Sequence, residues 1–237
     1  MPYMKKALSI LICLLFLLTI LYPAGVIITA CLGYTFELIS VSAFAIAIAA
    51  LSVCVVILNL VFLNRFKRKT EQILLALITP LSLINAALYI FECPRVWVIA
   101  SVFLSAGCCC CLTVKHGKPS SLKITALILS ALMMLPIGLF SFIALIFGNI
   151  GQNTVVKTVE SPSGEYYAQV IDSDQGALGG DTLVDVCEKS GVNFILFEIG
   201  KKPQRVYCGD WGEFENMQIY WKDNDCLVIN SIEYPIG

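Results

Sequence analysis

Charged residues are scarce in this chain of 237 residues, of which 14% are charged and 58% are hydrophobic. A soluble domain carries roughly 25% charged residues. The deficit excludes an ordinary soluble globular protein and places the chain among membrane proteins.

Histidine and the signature motifs of common enzymes are scarce as well. The single histidine, His116, lies in a short basic segment between two apolar runs, where it cannot serve a hydrolytic triad in the C-terminal region. The chain has no glycine-rich phosphate loop with lysine, no H-E-x-x-H and no G-x-S-x-G. We therefore predict a protein that is not an enzyme and that uses no cofactor and no metal.

The charges that are present divide the chain into two halves. Residues 1–148 hold ten Lys/Arg and three Asp/Glu, a net charge of +7, whereas residues 149–237 hold six Lys/Arg and fourteen Asp/Glu, a net charge of −8. This asymmetry predicts two parts in different environments. The acidic part would repel phosphates, which excludes nucleic acid as a partner.

Five apolar runs fill the basic half, and each is long enough for a transmembrane helix, which needs ~20 residues. They predict a membrane α-helical bundle of five transmembrane helices over residues 1–148, followed by a second domain at 149–237. For the third and fourth runs, a shallower re-entrant pair is the alternative. The predicted spans are 7–30, 38–63, 73–91, 96–114 and 122–148.

The basic residues between these runs predict the orientation, because cytoplasmic loops are enriched in lysine and arginine. Nine of them lie on alternate connections, against Arg95 alone on the others. We therefore expect a multi-pass protein of the plasma membrane with a cytoplasmic N-terminus and an extracytoplasmic C-terminal domain. The nine are Lys5, Lys6, Arg65, Lys67, Arg68, Lys69, Lys115, Lys118 and Lys123.

Two features inside the apolar runs have alternative interpretations. Ser40, Ala43, Ala47 and Ala50 share one helix face, and we expect this face to pack within the chain's own bundle, with an oligomer interface as the alternative. Asn59 and Asn85 are the main polar residues within the spans, and we expect them to join helices by hydrogen bonds.

Residues 149–237 contain short β-type stretches separated by turn residues. They predict a small antiparallel all-β domain of about seven strands. The predicted strands are Thr154–Val159, Tyr166–Ile171, Thr182–Cys187, Phe194–Ile199, Arg205–Cys208, Met217–Trp221 and Leu227–Ile229.

Several motifs in this region carry a resemblance. They are Ser161-Pro162-Ser163-Gly164-Glu165-Tyr166, Gly179-Gly180, the run from Ile219 to Asp225, and Val228-Ile229-Asn230. They resemble an uncharacterised family from Gram-positive bacteria whose members carry a small extracytoplasmic domain of unknown function behind a membrane anchor. The resemblance implies a location and a fold but no activity. Two of the motifs also resemble single propeller blades, although one blade cannot close a propeller.

The eleven cysteines predict no metal site. Cys108–Cys111 are consecutive and therefore point around a helix, whereas metal ligands are usually spaced. Cys187, Cys208 and Cys226 lie in the C-terminal domain, where two of the three can form one disulfide; Cys187–Cys208 and Cys208–Cys226 both stay open. Cys31 ends a stretch similar to a bacterial lipidation site, with a small-residue helix end as the plainer interpretation.

The stretch Asp172-Ser173-Asp174-Gln175-Gly176 is similar to a calcium loop, but Ala177 and Leu183 occupy the positions where an EF-hand needs glycine and a carboxylate. We therefore expect a solvated, glycine-rich turn, with weak cation binding that includes Asp181 as the alternative. A hydrolase that uses two carboxylates is an alternative, with Asp172, Asp181 and Asp210 as its candidates.

The leading functional hypothesis is a binding or assembly role without catalysis. The partners would be the lipid bilayer and an unknown protein or envelope component, with the oligomeric state left open. The first alternative is a small transporter or an accessory subunit of one, and the second is the envelope hydrolase.

Overall fold

The structure is a computed structural model that describes residues 2–63, 69–92, 95–115, 120–147, 152–176 and 179–236. The chain forms two compact units. The first consists of Met1–Ile28 and Leu38–Gly148, and the second of Thr29–Glu37 and Asn149–Gly237. The segment 29–37, expected to lie within the membrane domain, therefore belongs to the unit of the C-terminal residues.

Among the described residues, five long apolar helices account for the first unit, which confirms the predicted helical part of the fold. All five are long and apolar enough to cross a membrane. A π-helical turn, Asn59–Leu63, continues the second helix. The helices are α1 Pro2–Cys31, α2 Val41–Leu58, α3 Lys69–Glu92, α4 Val96–Lys115 and α5 Ser121–Phe147.

Polar side chains within these helices mostly bond to their own backbone. The hydroxyl groups of Thr19, Ser130 and Ser141 each donate to the carbonyl four residues earlier, at 2.7 Å. Such bonds satisfy a hydroxyl that has no water to bind in a lipid environment. Prolines occur inside α1, α3 and α5, where neighbouring helices can cover the backbone groups they leave open.

Helix α4 contacts α2 and α3, and α3 also contacts α5. The buried face of α4 includes Val98, Val102, Ser105 and Cys109, which recur at a helical spacing of three or four residues. The four consecutive cysteines differ in exposure accordingly, because Cys109 is buried and Cys111 is exposed.

The second span begins later than predicted. Residues 38–40 are not helical, because Tyr34–Leu38 form a strand and Ser40 caps α2 by accepting a hydrogen bond from the backbone N–H of Ala43 at 3.3 Å. A serine whose oxygen binds the first turn belongs to the helix boundary rather than to a helix face.

The small-residue face of α2 does not pack within the bundle, so that expectation is wrong. Ala43, Ala47 and Ala50 are exposed on the first unit. The buried residues of α2 lie on the other side of the helix and include Phe44, Ile48, Ser52 and Val55. Larger side chains at that spacing provide the apolar contact with α4.

In the described part of the second unit, ten strands form three antiparallel sheets, in the orders β1-β6-β5, β2-β3-β4-β7 and β10-β9-β8. They confirm the predicted antiparallel β domain. The strands are β1 Tyr34–Leu38, β2 Gln152–Glu160, β3 Tyr166–Asp174, β4 Gly180–Glu188, β5 Val192–Asn193, β6 Phe197–Lys201, β7 Gln204–Asp210, β8 Ile219–Trp221, β9 Cys226–Ile229 and β10 Ile232–Pro235.

The core of this unit lies between the four-stranded sheet and the sheet of β8–β10. Alternate residues of β3 and β4, such as Val170 and Val184, point into it and meet Leu227 and Ile229 of β9. The predicted strand Phe194–Ile199 is wrong in part, because Phe194–Leu196 form the turn between β5 and β6.

Candidate functional site

The turn of Ser161–Tyr166 and the turn that follows Trp221 meet in the second unit. The backbone N–H of Ser163 donates to Asn224 Oδ1 at 2.8 Å. The indole of Trp221 donates to the carbonyl of Val159 at 3.0 Å and stacks on Tyr166, with ring centroids 6.4 Å apart. These contacts therefore hold two turns together, and their role is to stabilise the fold.

Gly164 is required at the first of these turns because its φ is +73°, a conformation that residues with a Cβ rarely adopt. Its N–H closes the turn onto the carbonyl of Ser161 at 2.9 Å. The S-P-S-G motif is thus explained by backbone geometry.

An exposed tryptophan, Trp211, follows β7 and is held firmly in place. Its ring packs against Gly180, where a Cβ would lie 2.6 Å from Trp211 Cδ1 and 2.5 Å from the carbonyl oxygen of Ser173. Its indole N–H donates to Asp172 Oδ1 at 3.2 Å. Even so, 55% of the residue is exposed. Trp211 is therefore a fixed aromatic surface on this unit.

The segment after Trp211 is anchored by buried Thr182. The Thr182 hydroxyl donates to the carbonyl of Asp210 at 2.8 Å and accepts from the N–H of Phe214 at 3.3 Å. We call residues 210–216 the Trp211 loop. Because Asp210 and Phe214 of this loop both bind Thr182, the loop is positioned by β4.

Glu213 of the same loop forms a small polar cluster. It accepts a 2.6 Å hydrogen bond from the Tyr207 hydroxyl and a 3.2 Å bond from Asn230 Nδ2. The hydrogen bond to Glu213 raises the pKa of Tyr207 to about 12, with smaller contributions from desolvation and the Glu213 charge. A Cβ at Gly209 would overlap both Tyr207 and Glu213, so the cluster needs glycine there.

The three candidate hydrolytic carboxylates do not converge. Asp172 lies opposite Thr182 in the β3–β4 ladder, whereas Asp181 lies opposite Asp210 in the β4–β7 ladder. Successive residues of a strand point to opposite faces, so the sheet separates Asp172 from the other two. Glycoside hydrolysis requires two carboxylates that face the same gap. Asp172 does not form such a pair with Asp181 or with Asp210.

The acidic turn closes on itself. Asp174 Oδ1 accepts from the N–H of Gly176 at 2.7 Å, and Asp181 Oδ2 accepts from Gln175 Nε2 at 3.3 Å. Ala177 lies outside the described residues. Across the part of the chain that the structure describes, no three His, Cys, Asp or Glu side chains lie close enough to hold a metal ion.

The three C-terminal thiols are free. Cys208 pairs with Leu183, four residues from Cys187 along β4, so their Cα atoms are ~13 Å apart at ~3.3 Å per residue. A disulfide requires less than ~7 Å. Cys226 belongs to β9, which packs on the core face, whereas Cys208 alternates to the opposite face. This fold therefore brings neither proposed pair together.

The residues of the topology signal are only partly described. Lys6, Lys69 and Lys115 are exposed, and Lys123 is buried near the start of α5. The side chain of Lys5 lies outside the described residues, as do Arg65, Lys67, Arg68 and Lys118. Cys31 is exposed as the last residue of α1.

Buried polar groups form a seam between the helices of the first unit. The hydroxyl of Ser105 lies 2.7 Å from that of Ser52 and 3.4 Å from that of Ser82, which joins α4 to α2 and α3. Asn85 Nδ2 donates to the carbonyls of Thr19 and Leu81 at 2.7 and 2.9 Å. Asn85 therefore joins α1 to α3 by a hydrogen bond, as expected, and its amide group stabilises the contact between these helices.

The sequence reasoning missed β1. The Phe36 ring stacks on Phe197 of β6 with centroids 4.6 Å apart, and Thr35 Oγ1 donates to the carbonyl of Gly200 at 3.3 Å. The available signal was the short β-type pattern Tyr-Thr-Phe-Glu-Leu. It was hidden because it lies between two membrane spans.

Comparison of the chain with protein-family models, with curated proteins and with solved structures found no match.

Proposed function

We propose that this chain is a non-enzymatic, multi-pass protein of the plasma membrane that presents a small acidic β domain on the extracytoplasmic side, where the domain binds a protein or envelope partner. The observation that carries the proposal is β1. This strand comes from the segment between α1 and α2, yet it pairs with β6 of the C-terminal region.

Strand β1 links the two regions to one side of the membrane. Because it is hydrogen-bonded to β6, the segment between α1 and α2 has to lie on the same side as residues 152–236. Four helices, α2 to α5, separate the two regions in the chain, and an even number of crossings satisfies this requirement. Together with the basic residues on the alternate connections, this supports an extracytoplasmic β domain.

Three covalent connections join the β domain to the helices. They are the residues between Cys31 and Tyr34, those between Leu38 and Val41, and those between Phe147 and Gln152. A domain on one flexible linker samples many orientations, whereas three short connections restrict it. Such a restricted domain suits a role as a docking platform.

We assign the partner contact to the Trp211 loop. A tryptophan that is exposed yet fixed loses little conformational freedom on binding, and tryptophan often dominates the energy of interfaces. Asp172, which accepts the indole hydrogen bond of Trp211, and Asp174 lie on one face of β3 beside this ring. Complementary charge steers association, so the expected partner surface is basic.

The orientation is tested with a membrane-impermeant maleimide on intact cells. Cys208 is exposed and native, so the peptide containing it should be labelled, as quantified by mass spectrometry. In a His116→Cys variant, the introduced thiol should be labelled only after permeabilisation. The reverse pattern would refute the proposed orientation.

The binding role is tested in the same cells with a photocrosslinking amino acid at position 211. We expect one predominant crosslinked product, weakened when Asp174, on the same face of β3 as Asp172, is changed to Asn. The same amino acid at exposed position 232 is the control. Equal products from both positions would argue against the Trp211 loop as the contact.

A further inference from the structure

The turn between β5 and β6 exposes large apolar side chains. Ile195 is 94% exposed, Val192 57%, Phe194 47% and Leu196 45%. We call these four residues the apolar tip. No charged residue occurs between Lys189 and Glu198, so the tip is entirely uncharged. Other exposed apolar residues of the second unit, such as Ile232 and Tyr220, are scattered along its strands.

The tip is held by a stack of three rings. Phe194 stacks on Phe197, and Phe197 stacks on Phe36, with both pairs of centroids 4.6 Å apart. The N–H of Phe194 also donates to the carbonyl of Phe197 at 2.8 Å, which closes the turn. Phe36 is buried. Ile195 is therefore exposed at the end of a well-defined turn that packs against β1.

Strand β1 is joined to two apolar helices by short connections. Three residue steps separate Cys31 from Tyr34, and three separate Leu38 from Val41, so each connection spans at most about 11 Å at ~3.8 Å per step. Both helices are apolar enough to cross a membrane. Strand β1 is therefore tethered at both ends, by a few residues of chain, to helices that are apolar enough to cross a membrane.

We infer that the apolar tip inserts into the lipid interface of the membrane that α1 and α2 cross, and so anchors the β domain to the bilayer. Burying exposed apolar side chains releases roughly 25 cal/mol for each Å² removed from water. Lys202 directly follows β6 and is exposed, so its charge can meet lipid phosphates, whereas Lys201, the last residue of β6, forms an ion pair with Glu188. The inference holds for either orientation of the protein, and so it can fail or succeed separately from the proposed function.

Lipid is a better occupant for this tip than a second copy of the chain. A specific protein interface buries about 800 Å² on each partner, whereas four side chains on one turn offer on the order of a few hundred Å². Insertion into a bilayer needs no complementary shape, and β1, to which the tip is fixed, is tethered by short connections to two helices that are apolar enough to cross a membrane.

The test uses the full-length chain at one copy per lipid nanodisc, with an environment-sensitive fluorescent amino acid at position 195. The high exposure of Ile195 makes this site tolerant of replacement. The same probe at Tyr220, an exposed aromatic residue of β8 in the same unit, is the matched control. Lipids with a nitroxide near the headgroup end of the acyl chain, or at its methyl end, act as quenchers, and iodide quenches from water.

We expect the probe at 195 to be quenched several-fold more by the shallow nitroxide than the probe at 220, because interfacial groups sit ~5–10 Å into the headgroup–acyl boundary. Iodide should quench 220 more than 195. Strong iodide quenching at 195 would overturn the inference. Protection from both quenchers would also overturn it, because it would show that protein covers the tip.

Discussion

Tyr207 is the residue whose environment gives the clearest expected response to pH. Its bond to Glu213 raises the pKa to about 12, above the value of about 10 for an unperturbed tyrosine. A raised pKa in the folded state means that the stabilisation is complete below pH 10 and is lost as the pH rises towards 12. Part of the alkaline loss of stability should therefore come from this pair.

The prediction is checked by measuring the free energy of unfolding of the full-length protein in detergent between pH 7 and pH 12. Tyr207→Phe should be less stable than the wild type at neutral pH and should lose less further stability between pH 10 and 12. Tyr220→Phe removes an exposed phenol and is the control. Parallel curves for wild type and Tyr207→Phe would show that the Glu213 bond does not set the response.

Residue types alone were a poor guide to the candidate sites. Asp172, Asp181 and Asp210 are all acidic and close in the fold, but strand alternation places Asp172 on the other face of the sheet. Sequence spacing also left the pairing of Cys187, Cys208 and Cys226 open. Both outcomes depend on strand register, which is set by the burial pattern of whole strands and by turn geometry rather than by the spacing of individual acidic residues or cysteines.

At the scale of elements, the helices were predictable and β1 was not. The apolar runs are long and uninterrupted, so their existence follows from hydropathy, and α5 at Ser121–Phe147 matches the predicted span 122–148 closely. Strand β1 consists of five residues whose partner, β6, lies about 160 positions away in the chain. A pairing of such long range leaves no local periodic signal.

Strand β1 should depend on Phe36. Changing a buried aromatic residue to alanine typically costs ~3–5 kcal/mol, and Phe36 is buried against Phe197. We expect Phe36→Ala to increase hydrogen exchange in residues 34–38 and 197–201 while the helices keep their protection. Tyr34→Ala, on the same strand but exposed, should change little. Unchanged exchange in Phe36→Ala would show that the ring stack does not secure the strand.

At the scale of the whole molecule, the two halves differ in charge yet share a segment. The net charges of +7 and −8 predicted two environments, and the structure divides the chain into two units. The unexpected feature is that Thr29–Glu37 belongs to the acidic unit. If the β domain were joined to the helices only by the residues after α5, one proteolytic cleavage there would release it.

A protease site introduced at residues 148–151 tests whether the β domain is held only by the connection after α5 or also by β1. After cleavage in detergent, where no bilayer can hold the apolar tip, capture through an N-terminal tag should retain the fragment that begins after the cut, because β1 remains paired with β6. With Phe36→Ala the fragment should be lost to the wash, whereas Tyr34→Ala should keep it. Immunoblotting of bound and unbound fractions measures the outcome. Release of the fragment from the otherwise unchanged protein would mean that β1 does not hold the domain, and with it the case for a restricted platform would fail.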